Sequence, residues 1–143
     1  MQQAVTELVV STRGRGLHEI TDRVSDWVSR SGIATGLCTL FLRHTSASLL
    51  IQENADPDVQ RDLDAFFASL VPDGHRGFIH TAEGPDDMPA HVRTALTSVQ
   101  VSIPVTGGAL ALGTWQGLYV WEHRRDSHRR RVVLHLIGEP TAA

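Results

Sequence analysis

The chain has 143 residues, 41% of them hydrophobic and 20% charged, with a net charge of -3 at pH 7. That length suits one domain over residues 1–143 whose core buries roughly 68% of the surface the unfolded chain exposes. The balance excludes any global electrostatic pull toward nucleic acid or anionic membrane, and the single cysteine, Cys38, excludes an intrachain disulfide and a paired-cysteine zinc site.

The opening residues "MQQAVTELVV" lack a basic leader followed by a long apolar run, so neither a signal peptide nor a membrane span is expected and the location read is cytoplasmic. "AVTELVVST" alternates and is rich in Val and Thr, which predicts a strand ended by the turn "RGRG". "TDRVSDWVSRSG" places Ile20, Val24 and Trp27 or Val28 at helical spacing, with Gly32 as a stop. "GLCTLFLRH" is apolar on both parities and reads as a strand buried on both faces.

"HTSASLLIQEN" follows, read as an irregular hydroxyl-rich turn. After it comes the best-signalled helix: Asp56 can cap, Pro57 fits the first helical position, and Val59, Leu63, Phe66, Phe67 and Leu70 recur at helical spacing. A Gly, Pro, Asp and His-rich loop leads to a third helix near "DDMPAHVRTAL", where Asp86 or Asp87 is expected to cap and His91 to lie in the first turn. From residue 98 onward the texture is strand, turn, strand. Together these predict an α+β domain with mostly antiparallel sheet and about three helices, its exposed sheet covered by a second copy of the chain.

Among eight histidines, His44, His80 and His91 each stand where an element begins or ends. Three neutral histidines with an open fourth position would form a zinc-like site, although no local HExxH pair supports it. Hydrogen bonding to neighbouring loops is the competing role. Glu83 and Glu122 have no capping duty and could orient a metal-bound histidine or act as general bases. Thr45, Ser46 and Ser48 could hold a phosphate or satisfy their own backbone. A serine-hydrolase reading lacks the Gly-x-Ser-x-Gly elbow. The arginines of "HRRDSHRRR", Arg124 among them, could form a phosphate-binding edge or a solvated hairpin; no aromatic platform interleaves them, against nucleic acid.

Read together, "HTSASLLIQENADPDVQRDL", "HTAEGPDDMPAHVRTAL" and "IPVTGGALALGTWQGLYVWEHR" resemble the YjbQ-like family, whose bacterial members are often labelled secondary thiamine-phosphate synthase. The resemblance implies two packed sheets with a few helices, a homotrimer, and motif histidines gathered in a cleft near the subunit interface that can take a divalent metal of the zinc or magnesium class. It places motif residues at His44, Thr45, Ser46 and Ser48, at Glu53 and Asn54, at His80, Glu83 and His91, and at Gly113, Thr114, Trp115, Gln116 and Glu122.

The resulting expectation is a trimeric thiamine-phosphate synthase-like transferase joining a pyrimidine diphosphate to a thiazole phosphate. His44, His80 and His91 would bind metal, with His44, Glu83 and Glu122 catalytic. Thr45, Ser46, Ser48, Asn54, Thr114, Gln116 and Arg124 would bind ligand. A metal-assisted hydrolase of a phosphorylated or ester substrate and a non-catalytic metal or ligand-binding module are the alternatives.

Overall fold

The computed structural model describes residues 1–142. The chain runs β1 (Gln2–Ser11), β2 (Gly16–Glu19), α1 (Thr21–Arg30), β3 (Ile33–Leu42), β4 (Ala47–Glu53), α2 (Pro57–Leu70), α3 (Asp87–Leu96), β5 (Gln100–Thr106), β6 (Ala109–Leu110), β7 (Gln116–Glu122) and β8 (Arg129–Pro140). Five strands form one sheet in the order β1-β8-β3-β5-β6, and three form a second in the order β2-β7-β4. All pairings are antiparallel. The α+β class with three helices and two packed sheets is therefore as expected.

The core lies between the sheets. Strand alternation sends Cys38, Leu40 and Leu42 of β3, Ile103 and Val105 of β5, and Val132, Leu134 and Leu136 of β8 inward, against Ala47 and Leu49 of β4 and Leu118 and Val120 of β7. Helix α1 adds Val24 and Val28. Each fully buried Val or Leu contributes about 1.5–3 kcal/mol, so this shared layer welds the two sheets together. A close approach supports it at the end of the large sheet. Gly36 and Gly138 face each other across β3 and β8, and a Cβ on Gly138 would sit 2.1 Å from the Thr35 carbonyl oxygen.

Strand β7 has a second buried face. Tyr119 and Trp121 point away from the inter-sheet core toward α2, where Gln60 donates to Tyr119 Oη at 3.2 Å, Trp121 Nε1 donates to Asp64 at 3.3 Å, and the Phe67 ring meets Trp121 edge-on. Helix α2 begins as its sequence dictates: Asp56 accepts from the Asp58 N–H at 2.9 Å and Pro57 follows in the first turn.

Four expectations are corrected here. Strand β3 is buried on one face only, leaving Leu37 and Phe41 exposed on the other. The segment after His44 is strand β4 rather than an irregular turn, since Ala47 and Leu49 alternate inward and pair with β7. Neither Asp86 nor Asp87 caps α3, because the cap carries no side-chain hydrogen bond. His91 is the fifth residue of α3 and lies in its second turn.

Candidate functional site

Asp87 opens α3, and one helical turn later His91 follows on the same face. The loop before the helix returns His80 to the same place. Asp87 Oδ2 lies 2.7 Å from His80 Nε2 and 3.1 Å from His91 Nε2, and one ligand-capable atom of each residue lies within 4.8 Å of the other two. His91 Nδ1 donates to the Thr45 carbonyl at 2.9 Å, which fixes a proton on that nitrogen. Its Nε2 lone pair then faces a carboxylate oxygen, an arrangement that is repulsive unless a proton or a cation sits there.

Arg124 anchors the acid from behind. Its Nη1 donates to Asp87 Oδ1 at 2.8 Å, its Nε to Asp86 Oδ2 at 3.0 Å, and its Nη2 to the Glu83 carbonyl at 3.1 Å. The Arg125 N–H adds a bond to Asp86 at 3.0 Å. Burial by itself would raise the Asp87 carboxyl, but the His80 hydrogen bond and the charges of His91 and Arg124 outweigh it and hold the group below its ordinary value. Asp87 is thus an ionised, oriented carboxylate flanked by two imidazole nitrogens.

This donor set fits a divalent cation. Two imidazoles and one carboxylate leave coordination positions open, and each ligand but His80 has a fixing partner: the Thr45 carbonyl for His91 and Arg124 for Asp87. A cavity of about 440 Å³ adjoins His80, lined by His75, Arg76, Phe78, Met88 and Pro89. It is large enough for a small ligand.

Residues 6–139 match the family described as UPF0047 protein YjbQ-like. The chain belongs to the YjbQ-like UPF0047 family. It is 55% identical over 132 residues to a UPF0047 protein of Synechocystis, covering 92% of this chain and 90% of that one. It is 42% identical over 133 residues to the UPF0047 protein YjbQ of Salmonella typhimurium, with 92% and 96% covered. Among solved structures, a YjbQ/UPF0047 family protein of Clostridium acetobutylicum superposes with a TM-score of 0.84 at 33% identity, covering 92% of this chain and 99% of that one.

The other residues singled out in the YjbQ-like sequence fall into three places. His44 is exposed beside Thr45 but stands outside the three-residue group, its Nδ1 engaged by Ser46. Ser46, Ser48 and Glu122, expected at ligand contact or acid-base work, are fully buried within the chain. Ser48 Oγ is paired with His123 Nε2 at 2.9 Å. Glu122 takes Arg130 Nε at 2.8 Å, a second bond from Arg130 Nη2, and Thr12 Oγ1 at 2.7 Å.

Asn54, Thr114 and Gln116 lie elsewhere. Ala47 pairs with Glu122 near the histidines, whereas Glu53 pairs with Gln116 at the other end of the same ladder, about 20 Å away at strand rise. Asn54 donates to the Gln116 carbonyl, and Gln116 Oε1 accepts the Gly113 N–H, so both shape that distant turn. Within one chain they do not join the site. Arg124 is already held by two carboxylates and serves the site by orienting Asp87.

Asp87 is the residue that sequence reasoning missed. The signal present was an Asp and a His four apart on a helix, Asp87 and His91, close after a loop histidine.

Proposed function

We propose that this protein is a divalent-metal-dependent enzyme acting on a small phosphorylated or ester-bearing molecule, assembled as a homotrimer in the cytoplasm. The observation that carries the reading is one carboxylate oxygen, Asp87 Oδ2, shared by His80 Nε2 and His91 Nε2. A bound cation would polarise a substrate oxygen or lower the pKa of a bound water. The chain's own residues supply the rest. Arg124 holds Asp87 ionised, the Thr45 carbonyl holds His91 with Nε2 outward, and Arg76 on the cavity wall offers a positive charge to an anionic group.

Two imidazoles with a single carboxylate favour a zinc-type ion over magnesium, which prefers oxygen ligands and retained waters. That supports hydrolysis, in which water adds across a P–O or C–O bond to give an acid and an alcohol. The finer reading is thiamine-phosphate synthesis, in which a C–N bond forms to the thiazole and a C–O bond to pyrophosphate breaks. It is supported by the family resemblance and is the second activity to assay. A trimer is supported by the apolar residues left on the surface, among them Phe66 at 60% and Phe41 at 46% exposure.

The test compares chelated and zinc-reconstituted protein on p-nitrophenyl phosphate and p-nitrophenyl acetate, and in parallel on the pyrimidine diphosphate with the thiazole phosphate. Turnover that needs metal and disappears in Asp87→Asn is expected. A fully metal-loaded protein inert on all of them supports the binding-module alternative instead.

A further inference from the structure

The hydrogen bonds around His44 determine which of its nitrogens carries the proton. The Ser46 backbone N–H, which can only donate, reaches His44 Nδ1 at 3.2 Å. The Ser46 hydroxyl acts in the same sense. Its Oγ accepts from Arg130 Nη2 at 2.9 Å, so its own proton goes to His44 Nδ1 at 3.1 Å. Arg130 is fixed in turn by the buried Glu122, which also accepts from Thr12. Two donors converging on Nδ1 leave the neutral ring with its proton on Nε2.

A histidine that ligates a metal through Nε2 needs the reverse arrangement, with the proton on Nδ1 and the lone pair on Nε2. His91 has it, through the Thr45 carbonyl. His44 immediately precedes Thr45, so two rings with opposite proton placement meet at one short stretch of backbone. His44 also lies near His91. The ring is exposed, and no hydrogen bond to its Nε2 exists among the described residues.

We propose that His44 is not a metal ligand but the hydrogen-bond donor of the site, presenting Nε2–H to an oxyanion of the bound ligand, a phosphoryl or carboxylate oxygen. Ser46, Arg130 and Glu122 are positioning residues that hold the ring in this form. Partial desolvation and the neighbouring Arg130 charge lower the basicity of His44. The ligand contact rests on the metal-site reading above; the proton placement does not.

The experiment has three readouts on the full chain. Nitrogen-15 spectra of the ring nitrogens are recorded on metal-free and zinc-loaded protein. Zinc content is measured for wild type, His44→Ala, His44→Gln and His80→Ala. Inorganic phosphate is titrated calorimetrically into the zinc-loaded forms.

The expected result is a pyridine-like Nδ1 and a pyrrole-like Nε2 at His44. His44→Ala should keep full zinc and bind phosphate at least about tenfold more weakly, as for loss of a hydrogen bond to a charged group. His44→Gln, which restores an N–H at nearly the same reach, should recover most of that loss. A proton on Nδ1, zinc lost from His44→Ala, or phosphate binding that is absent in wild type or unchanged in His44→Ala overturns the proposal. A wild type that holds no zinc sinks the metal reading instead, and the metal-free spectrum then decides the His44 assignment alone.

Discussion

His91 Nδ1 donates to the Thr45 carbonyl at 2.9 Å, and that one bond turns the opposite nitrogen of the ring onto Asp87. A backbone carbonyl has no proton to offer, so His91 Nδ1 must carry the one between them. The turn before β4 thereby orients a side chain of a helix it does not belong to.

Arg124 controls the acid in the same way. Arg124→Gln should lower zinc affinity about 10–100-fold, the usual cost of losing a partner behind a metal ligand. Isothermal titration with zinc checks this. An unchanged affinity would mean that Asp87 is oriented without Arg124.

Glu122 and Arg130 close the end of the inter-sheet core as a buried ion pair, Glu122 from β7 and Arg130 from β8. Glu122→Gln leaves the arginine charge buried without its partner and should cost roughly 3–5 kcal/mol in urea unfolding. Replacing both by apolar residues of similar volume should cost clearly less. A Glu122→Gln variant as stable as wild type would contradict the pairing.

His123 predicts acid sensitivity. Burial, reinforced by the Arg93 and Arg130 charges, lowers it from an ordinary 6.5 to about 3. Below 6.5 the unfolded chain takes up a proton that the folded chain refuses. Stability is therefore complete above that pH and is lost as pH falls toward 3, by about 1.4 kcal/mol per unit for this one proton. Glu122, held below its ordinary value because bonds from Arg130 and Thr12 outweigh its burial, adds its own loss only at lower pH. Unfolding free energies measured from pH 7 to 5 should fall, and His123→Gln, less stable at pH 7, should show a shallower slope.

Helix α2 carries Phe66 at 60% and Leu70 at 56% exposure and has no fully buried residue. A cleft of about 370 Å³ lies beside it, lined by Leu63, Phe67, Leu96 and Trp121. Sedimentation should give about three times the 15.7 kDa chain mass, and Phe66→Glu should shift it toward monomer with the far-ultraviolet spectrum unchanged. A monomeric wild type would contradict the proposed trimer.

What the sequence revealed and what it hid follow from the range of each interaction. The start of α2 was legible because Asp56 and Pro57 act within two residues of themselves. His80 and His91 come together while His44 stands outside their group, and Asp87 reads as a cap in the sequence because its partner, Arg124, is 37 residues away. Strand β4 was hidden by the hydroxyls at and just before its start. Ser46 and Ser48 read as turn residues until Arg130 and His123, distant in sequence, are seen to satisfy them. Glu122 looked like an unexcused carboxylate for the same reason. Its excuse, Arg130, lies beyond the 123–128 connection on a strand of the other sheet.

The most direct test of the metal centre is elemental analysis with zinc titration of wild-type protein beside Asp87→Asn, both verified as folded. One tightly held ion per chain in wild type and at least a hundredfold weaker binding in Asp87→Asn are predicted. Wild-type protein that binds no ion above trace, or an Asp87→Asn variant that binds it equally well, would contradict the His80, Asp87 and His91 site.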